Sequence, residues 1–108
     1  VLASLEQIEG KFRESLELVN NLLVDNPDDA SLYLARADIE REMEHLELAL
    51  VDLEEAIRLS SSLMDAYLLR GDIYLLQKRK ALAKADYEKA ISLGVPPSDL
   101  YEKLKQCK

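Results

Sequence analysis

The stretch Tyr33-Leu34-Ala35-Arg36-Ala37-Asp38-Ile39 returns 34 residues later as Tyr67-Leu68-Leu69-Arg70-Gly71-Asp72-Ile73. A second stretch, Asp52-Leu53-Glu54-Glu55-Ala56-Ile57, returns at the same interval as Asp86-Tyr87-Glu88-Lys89-Ala90-Ile91, and no insertion is needed to keep the register. A fixed interval of this length is typical of stacked repeats, in which one unit cannot bury its apolar face alone and its neighbours complete the core. The sequence therefore predicts a repeat fold.

Composition indicates that the repeating unit is helical. Of the 108 residues, 48% are hydrophobic and 32% are charged, which suits a packed core beneath a charged surface. Three glycines and three prolines are present, and the prevailing residues (Leu, Ala, Glu, Lys and Arg) are good helix formers. We therefore expect an all-α chain.

Apolar residues recur at helical spacing between short breaks. A first face, from Leu2 to Ile8, is expected to end at Gly10-Lys11. The next helix is expected to end before Pro27, because proline disfavours a helical residue ahead of it, and Asp28 or Asp29 should cap the helix that follows. Since the breaks are only a few residues long, neighbouring helices should be antiparallel and form hairpins.

The C-terminal part of the chain carries its own signals. Gly94 suits a left-handed cap at the end of a helix, and Ser98 or Asp99 is expected to cap a last short helix.

Aromatic and small residues alternate on both helices of the repeating unit, at Tyr67, Gly71, Tyr74, Ala83, Tyr87 and Ala90 and, one unit earlier, at Tyr33, Ala37, Ala49, Leu53 and Ala56. This pattern resembles the tetratricopeptide repeat (TPR), whose period is also 34. The earlier unit departs from the family at Glu40, where a tyrosine is usual, and at Ser61, where a proline is usual.

The resemblance implies an α–α superhelix of antiparallel helical hairpins, with about three repeats plus a short C-terminal helix. Because the chain begins with Val1 rather than Met, we expect it to have been cut from a longer protein. The expected divisions of the single domain are a partial first repeat at 1–29, a second repeat at 30–63, a third at 64–97, and a terminal helix at 98–108 that starts a fourth repeat or caps the third.

Both units contain an arginine followed, 16 residues later, by an aspartate: Arg36 with Asp52 and Arg70 with Asp86. The arginines could instead bind anionic ligands. Repetition in both units favours ion pairs that join the two helices of each hairpin, with the arginine stems packed in the core.

In this family the first helices line a concave surface that takes an extended peptide or a helix, so the resemblance implies a groove here. Asp38 and Asp72 repeat beside an apolar stripe of Leu34 and Leu68 and have no evident role in the core. We expect a partner segment that carries Lys or Arg next to apolar residues; alternatively, the leucines mostly pack against the final helix. The candidate groove residues are Ser31, Leu34, Ala35, Asp38, Arg41 and Glu42 on one helix, and Asp65, Leu68, Leu69, Asp72, Leu75 and Leu76 on the next.

One subtype of the family does not fit. Its members that bind chaperone tails grip a C-terminal carboxylate with a clamp of Lys, Asn and Arg on the first helices. The matching positions here hold Leu34, Asp38, Leu69 and Asp72. Because two aspartates repel a carboxylate, we do not expect this chain to bind such a tail by that clamp.

Charge and motif content argue against several other classes. The net charge is −7 and the longest basic run is Lys78-Arg79-Lys80, so nucleic-acid binding is not expected. No apolar run approaches the ~20 residues that span a bilayer. The single cysteine, Cys107, excludes an intrachain disulfide, and His45 has no second histidine with which to hold a metal. We expect no catalytic residues, no metal and no cofactor.

The sequence therefore predicts a non-catalytic protein–protein interaction module that binds a peptide or helix of a partner in its groove. The alternative is an assembly or oligomerisation segment of a larger TPR-containing protein, which self-associates through exposed apolar surface around Phe12, Leu16 and Val19. The compartment is not fixed by the sequence; a soluble, cytoplasmic location is slightly favoured.

Overall fold

A computed structural model describes residues 5–108 of the chain. Within these residues there are helices and connecting turns but no β-strand, so the all-α prediction is confirmed. The predicted apolar position Leu2 lies outside the described residues. The helices are α1 (Leu5–Asp25), α2 (Ala30–Glu42), α3 (Leu46–Leu59), α4 (Met64–Leu76), α5 (Lys80–Ser92) and α6 (Tyr101–Gln106), with a 3₁₀ turn at Pro97–Leu100 before α6.

Two helical hairpins, α2–α3 and α4–α5, form the centre of the fold. In each hairpin a three-residue turn, 43–45 or 77–79, joins the helices. Glu44 (φ 65°) and Lys78 (φ 61°) occupy the same position of the two turns in the left-handed region. Such short connections make the helices of a hairpin antiparallel neighbours. α1 packs on α2, α3 packs on α4, and α2 touches α4 directly, so the hairpins stack on one another, as the resemblance implied.

Small residues at the helix crossings allow this close packing. Ala37, Ala49 and Ala56 in one hairpin, and Ala83 and Ala90 in the next, are fully buried. A larger side chain at such a position typically costs about 1–3 kcal/mol through overpacking. The small residues that recur in the sequence therefore occupy equivalent buried positions in the two hairpins.

The first helix differs from the prediction. α1 continues without interruption through Gly10 and Lys11, so the predicted break there is wrong. A glycine inside a helix costs about 1 kcal/mol relative to alanine, whereas a turn would release several hydrogen bonds that each contribute about 1 kcal/mol. Glycine permits a turn but does not require one.

The face of α1 that packs inward also differs from the prediction. Val19 is buried, and Phe12 and Leu16 are half-buried, because α1 packs on α2. The exposed apolar side chains of α1 include Leu18 at 61% and Leu22 at 42% of their full accessible area. The expectation of exposed apolar surface around Phe12, Leu16 and Val19 is therefore wrong for Val19, whereas the neighbours Leu18 and Leu22 are exposed.

The predicted helix ends are partly correct. Asp29 caps α2, since its carboxylate accepts a hydrogen bond from the Ser31 backbone N–H at 3.0 Å. Gly94 has a φ of 128° after the end of α5. Neither Ser98 nor Asp99 caps the last helix, however, because the 3₁₀ turn already begins at Pro97, whose fixed φ suits the first position of a helical turn.

Candidate functional site

The first helices of the two hairpins, α2 and α4, enclose an open groove of about 500 Å³. Leu75, which the sequence also placed in the groove, lies in an adjoining depression. The groove-lining residues are Ser31, Leu34, Ala35, Asp38 and Arg41 from α2, and Asp65, Leu68, Leu69 and Asp72 from α4.

A second depression of about 400 Å³ continues the groove toward α6. The two depressions share Arg41 and Asp72. Lys103 and Gln106 from α6 form the far wall, and the groove residues named from the sequence did not include them. The signal for this wall was Tyr101, which follows Tyr33 and Tyr67 at the repeat interval and thereby marks α6 as another first helix. The remaining lining residues of this depression are Leu75 and Leu76.

Leucines form the apolar part of the groove and also support the core. Leu34 and Leu69 pack against a core cluster formed by α2, α3 and α4, and Leu68 and Leu75 pack against a second cluster formed by α4, α5 and the C-terminal segment. All four remain half-exposed, while Leu76 is 64% exposed. The groove floor therefore keeps apolar area on which a partner's side chains could pack.

The repeated aspartates of the groove have partners within the fold. Asp38 accepts a hydrogen bond from Arg41 Nη2 at 3.0 Å. Asp72 Oδ1 accepts hydrogen bonds from Tyr87 Oη at 2.6 Å and from Lys103 Nζ at 2.8 Å. Asp72 thus links α4 to α5 and to α6. The expectation of no evident role in the core is wrong for Asp72, because Tyr87, which replaces the leucine of the preceding repeat, donates to it. Asp38 pairs with Arg41 of its own helix, and its side chain is 58% exposed.

Two of the groups that donate to the groove aspartates, Arg41 and Tyr87, have raised pKa values. The hydrogen bond from Arg41 to Asp38 is the main cause of a raised pKa for the guanidinium. Burial, followed by the hydrogen bond to Asp72, raises the pKa of Tyr87 above its ordinary value. Both shifts favour the protonated form of the group, which is the form that donates to the groove aspartates.

The structure brings together the arginines and aspartates that the repeat interval paired. Arg36 donates to Asp52 through Nε at 2.9 Å and Nη2 at 2.6 Å. Arg70 donates to Asp86 in the same two-pronged way, at 2.9 and 2.8 Å. Asp52 and Asp86 are buried, and none of the four residues lines the groove. These pairs join the helices of each hairpin.

Aromatic rings lie next to the guanidinium groups of these arginines. The Arg36 guanidinium lies 5.4 Å from the centre of the Tyr33 ring, and that of Arg70 lies 5.7 Å from Tyr67 and 5.9 Å from Tyr74. Cation–π attraction at such distances adds about 0.5–1 kcal/mol at an exposed site and more when water is excluded. The repeated tyrosines therefore contact the repeated arginines and help to hold the ion pairs in place.

Glu40 is an acidic residue inside the first hairpin. It is 8% exposed, and its Oε1 makes no hydrogen bond with another described residue. Burial, followed by the neighbouring Asp52, raises the pKa of Glu40 to about 8, while Arg36 opposes the shift. The sequence showed only that a glutamate replaces the usual tyrosine; it did not show that the carboxyl group is buried beside a second one.

The histidine and the cysteine considered in the sequence, His45 and Cys107, both lie at helix ends. His45 is exposed and precedes α3 as its N-cap residue. Cys107, which lies at the end of α6, is buried, and burial raises the pKa of its thiol. In residues 5–108 no cluster of His, Cys, Asp and Glu is arranged to hold a metal. Among the same residues, none of the helices has the length and apolarity needed to cross a bilayer.

Comparison with known proteins agrees with this architecture. The tetratricopeptide repeat family model matches residues 30–63 and 65–93. No curated protein sequence matches the chain. Among solved structures, the first TPR of Spaghetti (RPAP3), bound to the HSP90 peptide SRMEEVD, is similar with a TM-score of 0.84 and 23% identity, over 92% of this chain and 79% of that one.

Two further structures are more similar in sequence. The second TPR of Spaghetti (RPAP3), also bound to the HSP90 peptide SRMEEVD, is 27% identical with a TM-score of 0.73, over 79% of each chain. YrrB, described as a TPR protein with an unusual peptide-binding site, is 29% identical with a TM-score of 0.79. That match covers 85% of this chain and 47% of YrrB.

Proposed function

Because the chain belongs to the tetratricopeptide repeat family, we propose that it is a non-catalytic protein-interaction module that binds a peptide or helix of a partner between α2 and α4. The observation that carries this proposal is the groove of about 500 Å³. It offers half-exposed leucines on its floor and polar side chains along its walls, which is the composition of a recognition site. The second TPR of Spaghetti, which is 27% identical, holds a peptide.

The charges of the groove favour a basic and apolar partner segment. The groove is lined by three acidic side chains, Asp38, Asp65 and Asp72, and by one basic side chain, Arg41. The chain as a whole has a net charge of −7. Charge complementarity of this kind accelerates association and selects among partners more than it adds affinity. Leu34 and Leu68 would receive apolar side chains beside the partner's Lys or Arg.

A substitution that fills the groove tests the proposal. Ala35 lines the groove and is half-buried, whereas Ala85 is exposed on α5 and lies outside it. Peptides selected from a random display library against the wild-type chain are titrated against Ala35→Trp and, as a matched control, Ala85→Trp. Binding should be saturable, with dissociation constants of about 1 μM. It should be lost in Ala35→Trp alone, while circular dichroism shows that both variants are folded. Equal binding to the two variants would place the peptide site elsewhere.

Self-association through α1 is a second candidate function. In the repeat register Ser15 and Leu22 correspond to Ala49 and Ala56, which are fully buried in their hairpin, yet both α1 residues are exposed. A second copy of the chain would cover this face, including Leu18. Sedimentation should then show a concentration-dependent dimer that Leu18→Glu and Leu22→Glu together abolish. A monomer at every concentration would exclude this function.

A further inference from the structure

Three aspartates line the groove, and cations of the chain itself bind two of them. Arg41 holds Asp38, and Lys103 holds Asp72. Asp65, at the start of α4, is exposed and makes no hydrogen bond or ion pair with another described residue. Within the described part of the groove, Asp65 is therefore the aspartate whose charge no neighbouring cation compensates.

The ion pairs Arg41–Asp38 and Lys103–Asp72 show that the groove aspartates bind basic side chains. Lys103 places its ammonium on Asp72 in the depression that Leu75 and Leu76 also line. The arrangement combines a cation on a carboxylate with adjacent leucine surface. Asp65 offers the same combination at the other end of the groove, where Leu68 and Leu69 line it.

We propose that Asp65 receives the cation of the partner: a peptide segment places a Lys or Arg on Asp65 and its neighbouring apolar side chains on Leu34, Leu68 and Leu69. This inference rests on the proposed function and adds the position and direction of the contact. The partner's cation is thus expected on Asp65 and not on the repeated Asp38 and Asp72. Asp65 does not recur, because the equivalent position in the preceding repeat is Ser31.

A double-mutant cycle between protein and peptide tests the pairing. The probes are short peptides with acetylated and amidated ends that contain one Lys among Leu and Ala, together with the same peptides carrying Gln in place of Lys. Asp65→Asn should weaken binding of the Lys peptide by roughly two- to fivefold, the usual range for a solvent-accessible ion pair. It should leave binding of the Gln peptide unchanged. The loss should shrink as salt is raised, since exposed charges are screened.

Asp28→Asn is the matched control, because Asp28 is exposed and lies outside the groove. It removes the same charge and should not alter binding. Equal losses in Asp28→Asn and Asp65→Asn, or a loss confined to Asp38→Asn or Asp72→Asn, would overturn the inference but leave groove binding intact. If no peptide binds the wild-type chain saturably, the proposed function fails, and the assignment of Asp65 fails with it.

Discussion

Gly71 lies directly against the ring of Tyr87. A Cβ added at Gly71 would stand 2.8 Å from Tyr87 Cε1. The ring has no room to retreat, because it is fully buried and its hydroxyl is held on Asp72. In the preceding repeat the same two positions are Ala37 and Leu53, so a smaller side chain on the second helix accompanies a methyl group on the first. The two repeats thus make the same helix crossing with different residue pairs.

We predict that Gly71→Ala destabilises the chain. Overpacking against Tyr87 costs about 1–3 kcal/mol, and the better helix propensity of alanine returns about 1 kcal/mol, so the net loss is between about 0 and 2 kcal/mol, and the rigid setting of the ring favours the upper end. The loss should be smaller in a Tyr87→Leu background, which reproduces the Ala37–Leu53 pair. Urea unfolding of the four chains of this cycle measures the coupling. An equal loss in both backgrounds would show that Tyr87 is not the obstacle.

The ion pair between Arg70 and Asp86 predicts a strong effect of removing one partner. The Asp86 side chain is 6% exposed, so Arg70→Met leaves a carboxylate buried without its counter-charge, which costs about 3–5 kcal/mol. The double variant Arg70→Met with Asp86→Leu should recover most of the loss, because two apolar side chains of similar volume carry no desolvation penalty. Thermal unfolding measures both effects.

Arg58→Met provides the control for this prediction. Arg58 also pairs with a carboxylate, that of Glu55, but its side chain is 65% exposed. An exposed pair contributes little to stability, because water screens its charges, so the variant should unfold close to the wild type. If Arg70→Met were as mild as Arg58→Met, the pair in the hairpin would not be structural.

Glu40 predicts that stability depends on pH. Its pKa in the folded chain is raised to about 8 from an ordinary value of 4.5, so the folded state binds one proton more than the unfolded state between these values. The contribution is fully present below pH 4.5 and is lost as the pH rises through 8. The free energy of unfolding should therefore fall between pH 5 and pH 8 in the wild type, and Glu40→Gln should remove this slope. Urea unfolding at several pH values measures both chains.

The exposed Glu54 offers a matched control for the pH series. Glu54→Gln removes the same type of group from the surface of α3 and should keep the slope of the wild type. A slope that persists in Glu40→Gln would assign the pH dependence to another group.

The repeat register made most of the architecture predictable. Each Tyr, Arg and small residue that recurs at the repeat interval sits in an equivalent place in the two hairpins, because packing between identical elements repeats with the sequence. The register gave a wrong prediction where a residue permits a turn but does not require one. Gly10 corresponds to Glu44 and Lys78, which lie in turns, yet Gly10 itself remains helical.

The site was less predictable than the fold, because it depends on which charges meet. Asp38 and Asp72 recur in sequence, but different partners hold them: Arg41 on the same helix and Lys103 on α6. Such contacts join residues that are not separated by the repeat interval. The sequence therefore could not show which groove aspartates are paired within the chain and which is free to bind a partner. The burial of Glu40 beside Asp52 escaped prediction for the same reason.

The acidic groove predicts that the HSP90 peptide SRMEEVD, which the first TPR of Spaghetti holds, does not bind this chain in its groove. Three acidic side chains and the terminal carboxylate of the peptide would enter a groove in which no cation of the described residues compensates Asp65, and like charges within a few ångströms repel. Calorimetric titration should show a dissociation constant weaker than about 1 mM under conditions in which the Spaghetti domain, as the positive control, binds. Micromolar binding that Ala35→Trp abolishes would mean that the groove accepts an acidic tail, and the preference for a basic partner would then be wrong.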